Sequence, residues 1–218
     1  MPNKQPFPFF AAEGRMHIFL SLAVAVILQL FAGTLAALPF WVLAIFVLQF
    51  FRDPPRAVPQ GEGQIVCPAH GKVVFTGLVD DPYLERKALK ISIFMNVFSV
   101  HSNFTPYAGV IQKIWYHSGK FFNAALDKAS EENERNAIWI KTDDGQDIVF
   151  IQIAGLVARR ILCHVSEGEQ VDRGQRYGFI RFGSKVDVYL PETAKSIVSI
   201  GDSVMSGNDI IAQLNAMT

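Results

Sequence analysis

The sequence predicts a mainly β (α+β) protein, in which a β-rich domain follows an N-terminal hydrophobic helical hairpin. From Met16 to Phe51, the chain has 36 residues without a single Asp, Glu, Lys or Arg. Beyond residue 60, short β-branched and aromatic runs are separated by Gly, Pro, Asp and Asn, which is the pattern of strands and turns. Half of the 218 residues are apolar and only 18% are charged, below the usual quarter.

The composition excludes several classes of protein. Lys and Arg total 20, as do Asp and Glu, so the chain lacks the basic excess of a nucleic-acid-binding protein. Its apolar content is too high for a disordered chain. Two cysteines, Cys67 and Cys163, are too few for a disulfide scaffold, which favours a reducing compartment.

The charge-free run is long enough to enter a membrane. One helical crossing needs about 20 apolar residues. Gly33 and Pro39 interrupt the run and predict two helices, over 16–36 and 39–51. The second is short for a full crossing, so a re-entrant or interfacial limb stays open. The run is too long for the apolar part of a signal peptide, and its lack of charge disfavours a water-soluble core hairpin.

Basic residues flank the run on both sides and indicate its orientation. Lys4 and Arg15 precede it, and Arg52 and Arg56 follow it. This pattern favours a hairpin with both ends in the cytoplasm, and thus an inner-membrane protein with its β-rich domain on the cytoplasmic side. A single tilted helix with the C-terminal part outside is the alternative.

The expected organisation has four parts. A tail, 1–15, is followed by the anchoring hairpin, 16–51. A linker, 52–60, whose prolines keep it extended, then leads to the β-rich domain, 61–218.

Seven runs in the β-rich domain are predicted to be strands. Asp144-Gly145 stands between two of them and is a strong hairpin signal. Residues 122–135 are polar and indicate a surface helix or loop. The predicted strands are Ile65–Val66, Lys72–Phe75, Ala88–Val97, Val110–Tyr116, Ala137–Thr142, Asp147–Ile153 and Ile161–Val165.

The pattern V-S-x-G-[DE]-x-V-x-x-G occurs twice, at 165–174 and 198–207. Its glycines suit tight turns around a buried valine. The unit resembles the turns of barrel-sandwich folds such as lipoyl and biotinyl carrier domains. Neither copy has a lysine between its glycines, which disfavours a swinging-arm role. The repeat therefore predicts a barrel-sandwich-like fold and no chemistry.

The residues alone suggest one acid–base group. His101 follows an apolar strand and precedes Ser102 and Asn103, which suits a histidine that exchanges protons. A zinc site is disfavoured and no metal is expected, because an adjacent Cys-His pair is poor ligand spacing. The zinc candidates are Cys67, His70, Cys163 and His164. Gly183-Ser184 in isolation indicates a bulge or turn, because it lies between apolar runs. It is not a nucleophile elbow, since there is no G-x-S-x-G.

Several motifs, in order along about residues 16–212, resemble the short-form (archaeal-type) phosphatidylserine decarboxylase proenzymes. The segment RFGSKVDVYLP at 181–191 resembles the self-cleavage segment of that family. The other matching stretches are FFRDP at 50–54, CPAxG at 67–71, NVFSVHSN at 96–103, NAALDKASEENER at 123–135 and QIAG at 152–155.

The resemblance implies a self-cleaving, pyruvoyl-dependent enzyme. Ser184 Oγ attacks the Gly183 carbonyl, and the chain splits into a β part, 1–183, and an α part, 184–218. Ser184 becomes a covalent pyruvoyl cofactor, which forms a Schiff base with phosphatidylserine in the membrane and acts as an electron sink. Phosphatidylethanolamine and CO2 are the products.

The resemblance also assigns further roles. His101 polarises the Schiff base or protonates the carbanion, while Arg52 and Arg56 are candidates to hold the lipid phosphate. Long forms have a second histidine where this chain has Phe104. The expected partners are the lipid substrate, the two fragments of the chain and further copies in a homo-oligomer, but no nucleic acid.

One residue departs from the family pattern. Family members have Asp in the turn where this chain has His70, and that Asp orients or activates the base for self-cleavage. A neutral histidine cannot supply the carboxylate that steadies an imidazolium. We therefore expect cleavage to be slowed or abolished.

Two alternatives remain at the sequence level. One is a pyruvoyl decarboxylase of a soluble amino acid, against which the uncharged segment 16–51 speaks. The other is a non-catalytic membrane-anchored β module, against which the combination of Gly183, Ser184 and His101 speaks.

Overall fold

The chain divides into two compact units, Met1–Pro55 and Arg56–Thr218. A computed structural model of the protein describes residues 9–120, 132–155, 161–181 and 183–215. The predicted surface segment 122–135 lies largely outside these residues.

The first unit contains two helices that pack against each other, α1 (Arg15–Phe31) and α2 (Thr34–Phe50). A 3-10 turn, Ala12–Gly14, precedes α1 and extends it to a continuous helical stretch of 20 residues. Within the described residues, this stretch is the one helix long and apolar enough to cross a membrane, whereas α2 is shorter.

The break between the helices lies earlier than the sequence predicts. The expected position is near residues 37–39, but α1 ends at Phe31 and α2 begins at Thr34. Gly33 makes the turn with a φ of 82°, a left-handed conformation that glycine adopts without strain. Pro39 lies inside α2, where neighbouring structure tolerates its missing N–H group.

The helical pair buries small side chains and exposes large ones. Ala25, Ala37 and Ala44 are completely buried, while Leu30, Phe31 and Leu35 are 74%, 85% and 88% exposed. A water-soluble hairpin does the opposite, because burial of large apolar side chains is what stabilises it in water. Small residues at a helix contact are typical of helices that pack within lipid.

The second unit is built from three antiparallel sheets. The largest has eight strands in the order β13-β2-β3-β11-β7-β6-β5-β9, and the two smaller ones have the orders β1-β14-β12 and β4-β10-β8. The strands are β1 (Gln64–Val66), β2 (Gly71–Asp81), β3 (Arg86–Met95), β4 (Ser102–Phe104), β5 (Gly109–His117), β6 (Arg135–Lys141), β7 (Asp147–Ala154), β8 (Ile161–Cys163), β9 (Gln170–Val171), β10 (Arg176–Ile180), β11 (Ser184–Pro191), β12 (Lys195–Ser196), β13 (Ser203–Val204) and β14 (Ile210–Gln213).

The predicted fold class is confirmed: the protein is mainly β with an N-terminal helical pair. All seven predicted strands coincide with observed ones, and the Asp144-Gly145 hairpin joins β6 to β7, with Gly145 at a φ of 81°. Three observed strands near the 183–184 peptide, β4, β10 and β11, are absent from the seven predicted ones.

The internal repeat forms the two ends of the large sheet. The first copy contains β9, which pairs with β5, and the second contains β13, which pairs with β2. All four glycines that the pattern requires have positive φ, from 70° to 102°: Gly168, Gly174, Gly201 and Gly207. The central valines, Val171 and Val204, are buried as predicted.

The central strand β11 is buried on both faces. It pairs with β3 on one side and with β7 on the other. Successive residues of a strand point to opposite faces, so Val186, Val188 and Leu190 join the main core. Lys185, Asp187 and Tyr189 occupy the opposite face and are also buried.

A buried ion pair links β11 to β3. Lys90 Nζ lies 3.0 Å from Asp187 Oδ2, and Lys185 Nζ lies 3.9 Å from Asp187 Oδ1. Burial by itself lowers the pKa of Lys90, but attraction to Asp187 and hydrogen bonds to Asp187 and Tyr189 outweigh it, so this pKa is raised. Lys90 is therefore charged at neutral pH.

Replacing Lys90 with methionine should lower the free energy of unfolding by about 3 kcal/mol, because a buried charge that loses its partner typically costs that much. Because the folded pKa of Lys90 is raised, its contribution is complete below the ordinary lysine pKa of about 10.4 and is lost as the pH rises through the folded value. Urea unfolding of wild type and Lys90→Met between pH 7 and pH 11 measures both effects.

Lys87 provides a matched control on the same strand. Its ion pair with Asp80 is shorter, at 2.7 Å, but the two side chains are 60% and 82% exposed. Exposed pairs contribute little, so Lys87→Met should leave stability unchanged. Equal losses for both variants would contradict a special role for the buried pair.

Candidate active site

Ser184 is the first residue of β11 and is completely buried. Its backbone lies opposite Met95 of β3 and Ala154 of β7, so three strands form one row at this position. The residue is therefore held firmly from both sides, while the chain before it leaves the sheet.

Gly183 has a conformation that accommodates strain in the backbone. Its φ is 56°, in the left-handed region that side-chain-bearing residues rarely adopt. A Cβ placed on Gly183 would have nothing within 4 Å apart from the adjacent residues. The peptide between residues 183 and 184 thus joins a half-buried glycine to a completely buried serine.

The Ser184 hydroxyl donates to a sulfur atom, with Oγ 3.4 Å from Met95 Sδ. A thioether is a weak acceptor, so this contact orients the hydroxyl without removing its proton. Activation of the hydroxyl as a nucleophile needs a stronger base than Met95.

His101 is completely buried and directly precedes β4. Its carbonyl accepts a hydrogen bond from the Ile180 backbone N–H at 3.2 Å, and its ring centroid lies 6.2 Å from that of Phe179. Both partners belong to β10, which leads within a few residues to Ser184. This placement makes His101 a candidate base or acid for the site.

Strand pairing brings the chain around His101 towards the chain before Ser184. β3 pairs with β11, and Met95 lies opposite Ser184; β4 pairs with β10, and Ser102 lies opposite Phe179. β3 and β11 belong to the eight-stranded sheet, whereas β4 and β10 belong to the sheet β4-β10-β8. The chain therefore passes from one of these sheets to the other both after β3, next to His101, and before β11, next to Ser184.

His70 lies at the same end of the large sheet as Gly183. It directly precedes β2, and β2 pairs with β3 so that Lys72 lies opposite Phe94. β11 begins with Ser184 opposite Met95 of β3, so His70 and Gly183 each directly precede a strand at this end of the sheet.

The disfavoured zinc ligands do not form a cluster. Cys67 is buried and its thiol donates to the Ala69 carbonyl at 2.9 Å, whereas Cys163 is exposed on β8. Burial raises the pKa of the Cys67 thiol to about 12, which opposes the thiolate form that binds zinc. Among the described residues, no group of three or more His, Cys, Asp or Glu side chains could hold a metal ion.

The two arginines considered as ligands of the lipid phosphate belong to different units of the chain. Arg52 belongs to the helical unit, where Nη1 donates to the Gln49 carbonyl. Arg56 belongs to the β unit, and its guanidinium lies 5.4 Å from the centre of the Phe104 ring. Phe104 is completely buried in β4.

Sequence reasoning did not single out three side chains near the site. Met95 contacts the serine, Gln152 lies two rows from it on β7, and Arg176 Nε donates to Ser102 Oγ at 3.2 Å. Of the three, only Gln152 could have been recognised from the sequence, because an amide within the apolar run 147–154 needs a hydrogen-bonding partner. The other two depend on pairings between distant strands.

Ser184 is thus buried directly after a left-handed glycine, and the buried His101 directly precedes a strand of the adjoining sheet. A sequence profile described as phosphatidylserine decarboxylase matches residues 43–212. The chain therefore belongs to the phosphatidylserine decarboxylase family. The predicted family and the prediction of a decarboxylase enzyme are confirmed.

The similarity to individual relatives extends over nearly the whole chain. A protein of Nitrosomonas europaea named phosphatidylserine decarboxylase proenzyme shares 57% identity, over 96% of this chain and 97% of the relative. The protein of the same name from Aromatoleum aromaticum shares 55%, over 98% and 100%. That of Burkholderia mallei shares 54%, over 96% and 97%.

Proposed function

We propose that this chain cuts itself between Gly183 and Ser184 and then converts phosphatidylserine to phosphatidylethanolamine and CO2. The observation that carries the proposal is the pair itself: a glycine with a φ of 56° in open space precedes a serine that is completely buried in the central strand. The names of the full-length relatives support the substrate.

In the proposed cleavage, Ser184 Oγ attacks the Gly183 carbonyl carbon and the peptide C–N bond breaks as an ester forms. The hydroxyl proton ends on the freed amine of residue 184. Elimination then removes the Cα proton of that residue and expels the Gly183 carboxylate. Hydrolysis of the remaining enamine releases ammonia and leaves a ketone at residue 184.

The site fits a cofactor made at this position. Residue 184 gives up its nitrogen in this step, but the residues after it keep their pairing with β3 and β7, so the new terminus stays in place. A pyruvoyl group there supplies a ketone that condenses with the substrate amine and draws off the electron pair left by CO2. Fragment 184–218 remains attached through the strand pairing and the Lys90–Asp187 ion pair.

His101 is the proposed proton donor and acceptor for the substrate. Its ring is completely buried beside Phe179, so bulk water does not compete for the transferred proton. An imidazole changes its charge near neutral pH, which suits both removal and return of a proton. Phe104 has no titratable group, so we assign both directions of transfer to His101.

The helical pair is the proposed membrane anchor. Its exposed leucine and phenylalanine side chains and buried alanines suit a lipid environment. Basic residues on both sides of the run favour a cytoplasmic location for both ends at the inner membrane. A lipid substrate gives the anchor a purpose, because the phosphatidylserine head group lies at the membrane surface. Arg52 and Arg56 remain candidates for its phosphate.

Ser184→Ala should give a single uncut chain with no decarboxylase activity, because the methyl group can neither attack Gly183 nor become a ketone. SDS gels and intact mass reveal whether fragment 184–218, of about 35 residues, appears. Ser203→Ala, at an exposed serine of the same fragment, should cleave like wild type. Normal cleavage of Ser184→Ala would refute the assigned site.

Carbonyl trapping separates the enzyme from a binding module. Borohydride or hydroxylamine should modify the new N-terminus of cleaved wild type. A cleaved chain without a reactive carbonyl would instead indicate a non-catalytic β module. If the carbonyl is present, comparison of phosphatidylserine with free amino acids tests the substrate class.

His70→Asp should increase the rate of cleavage, because a carboxylate stabilises a protonated histidine base and a neutral imidazole does not. The appearance of fragment 184–218 with time, in detergent or bilayers, measures this rate. His164→Asp makes the same change at an exposed histidine and should have no effect. An unchanged rate for His70→Asp would show that residue 70 takes no part.

His101→Ala should lower turnover by about 100-fold or more, the usual scale for a lost acid–base group. Turnover is counted per cleaved chain, so that slow maturation is not mistaken for lost catalysis. His117→Ala, at the end of β5, is the control and should retain activity. Near-normal turnover of His101→Ala would remove this residue from the mechanism.

A further inference from the structure

Three of the buried amide side chains of the β unit, Asn103, Asn136 and Gln152, are neighbours in space. Asn103 and Gln152 are 0% exposed and Asn136 is 2% exposed. They lie on β4, β7 and β6, so they are distant in sequence. A buried amide destabilises a protein unless its polar atoms are hydrogen-bonded, so their joint presence needs an explanation.

The three amides form one connected series. Asn136 Nδ2 donates to Gln152 Oε1 at 3.1 Å, and this bond stays within the large sheet. Gln152 Nε2 donates to Asn103 Oδ1 at 2.9 Å and lies 3.4 Å from the Leu162 carbonyl oxygen. These two acceptors belong to β4 and β8, the outer strands of the three-stranded sheet β4-β10-β8. The Gln152 side chain therefore links the eight-stranded sheet to this three-stranded sheet.

Glycine at position 178 makes room for this link. Gly178 lies on β10, between β4 and β8. A Cβ there would be 2.6 Å from Gln152 Nε2 and 2.4 Å from the Leu162 carbonyl oxygen, closer than real Cβ atoms approach. The side chain of Gln152 thus fills the space that any larger residue on β10 would occupy.

Asn103 carries the link on to the serine. Its Nδ2 lies 3.8 Å from Met95 Sδ, the atom that also accepts from Ser184 Oγ at 3.4 Å. Asn103 is also two residues after His101 in the chain. One amide therefore connects the strand that follows His101 both to the large sheet and to the sulfur that orients Ser184.

We infer that Gln152 and Asn103 are positioning residues that hold the His101 segment against Ser184. The inference rests on the proposed function. The two sheets do not share a ladder at this place, so their spacing depends on side chains, and the Gln152–Asn103 bond crosses between them. Acid–base transfer is sensitive to such spacing, because a shift of about 1 Å can cost up to 100-fold in rate.

Gln152→Met in the full-length protein tests the inference. Methionine keeps the length of the side chain and loses both polar atoms of the amide, so the sheets keep their packing but lose the link. We expect kcat per cleaved chain to fall about tenfold or more, with KM within about twofold of wild type. Gly178→Ala should lower kcat at least as much while retaining Gln152, because its methyl group would lie 2.6 Å from Gln152 Nε2 and 2.4 Å from the Leu162 carbonyl oxygen and would push apart both partners of that contact.

Asn136→Leu is the matched control. Asn136 is an equally buried amide that bonds to the same glutamine, but from within the large sheet. We expect this variant to lose stability in urea as Gln152→Met does, while keeping kcat. The double variant Asn103→Gln with Gln152→Asn exchanges the two amides between the sheets, so that the two side chains together span the same distance. Its kcat should lie within about threefold of the wild-type value.

Two results would overturn the inference. One is a loss of kcat that is proportional to the loss of unfolding free energy in all three variants, Gln152→Met, Gly178→Ala and Asn136→Leu, because kcat would then report stability alone. The other is full kcat in Gly178→Ala. Wild type and His70→Asp are assayed first, for a trapped carbonyl and for release of CO2 from phosphatidylserine vesicles, and the variants are made in whichever of the two cleaves faster. Failure of both parent proteins defeats the proposed function itself, whereas an active parent with fully active variants defeats only the positioning role.

Discussion

The pairing of β11 on both sides is the constraint on which the site depends. A strand held by β3 and β7 fixes its first residue, Ser184, at the edge of the buried region, while Gly183 leaves the sheet in a left-handed conformation. A bond at such a boundary can be broken without dismantling the fold, because ladder hydrogen bonds and a buried ion pair keep the rest of β11 in the sheet. The same pairing keeps Ser184 in a place from which water is excluded.

The site lies where two sheets meet, and this explains the polar groups in its interior. Hydrogen bonds between backbones fix distances within a ladder, but they do not fix the distance from one ladder to the next. Apolar packing tolerates small shifts, whereas a hydrogen bond between buried amides has one geometry. The Gln152–Asn103 bond therefore provides, in the core, a precision that the apolar contacts between the sheets lack.

The proposed effect of His70 on cleavage concerns its side chain rather than its place in the chain, directly before β2. The β2–β3 register sets the backbone of residue 70 near the Gly183 end of the sheet, whichever side chain is present. A carboxylate and an imidazole differ there in charge and in the proton they can hold. The proposed slowing of cleavage is thus a consequence of one side chain within an otherwise preserved framework, and it leaves the later steps at residue 184 unaffected.

Features with local signals could be predicted from the amino-acid sequence alone. The charge-free run 16–51, the alternating strands, the Asp144-Gly145 hairpin and the glycines of the repeat each depend on neighbouring residues, as does the mainly β class. The motifs around Ser184 and His101 pointed to the family. The predicted helix break is wrong, because Pro39 looked disruptive while Gly33 supplied the conformation that a turn needs.

Contacts between distant strands required the folded structure. Met95 contacts Ser184, Gln152 reaches Asn103, and Gly178 leaves space for that amide. Each of these contacts joins segments that are far apart in the chain. No local pattern encodes which strands become neighbours, because strand pairing is settled by the packing of the whole β unit.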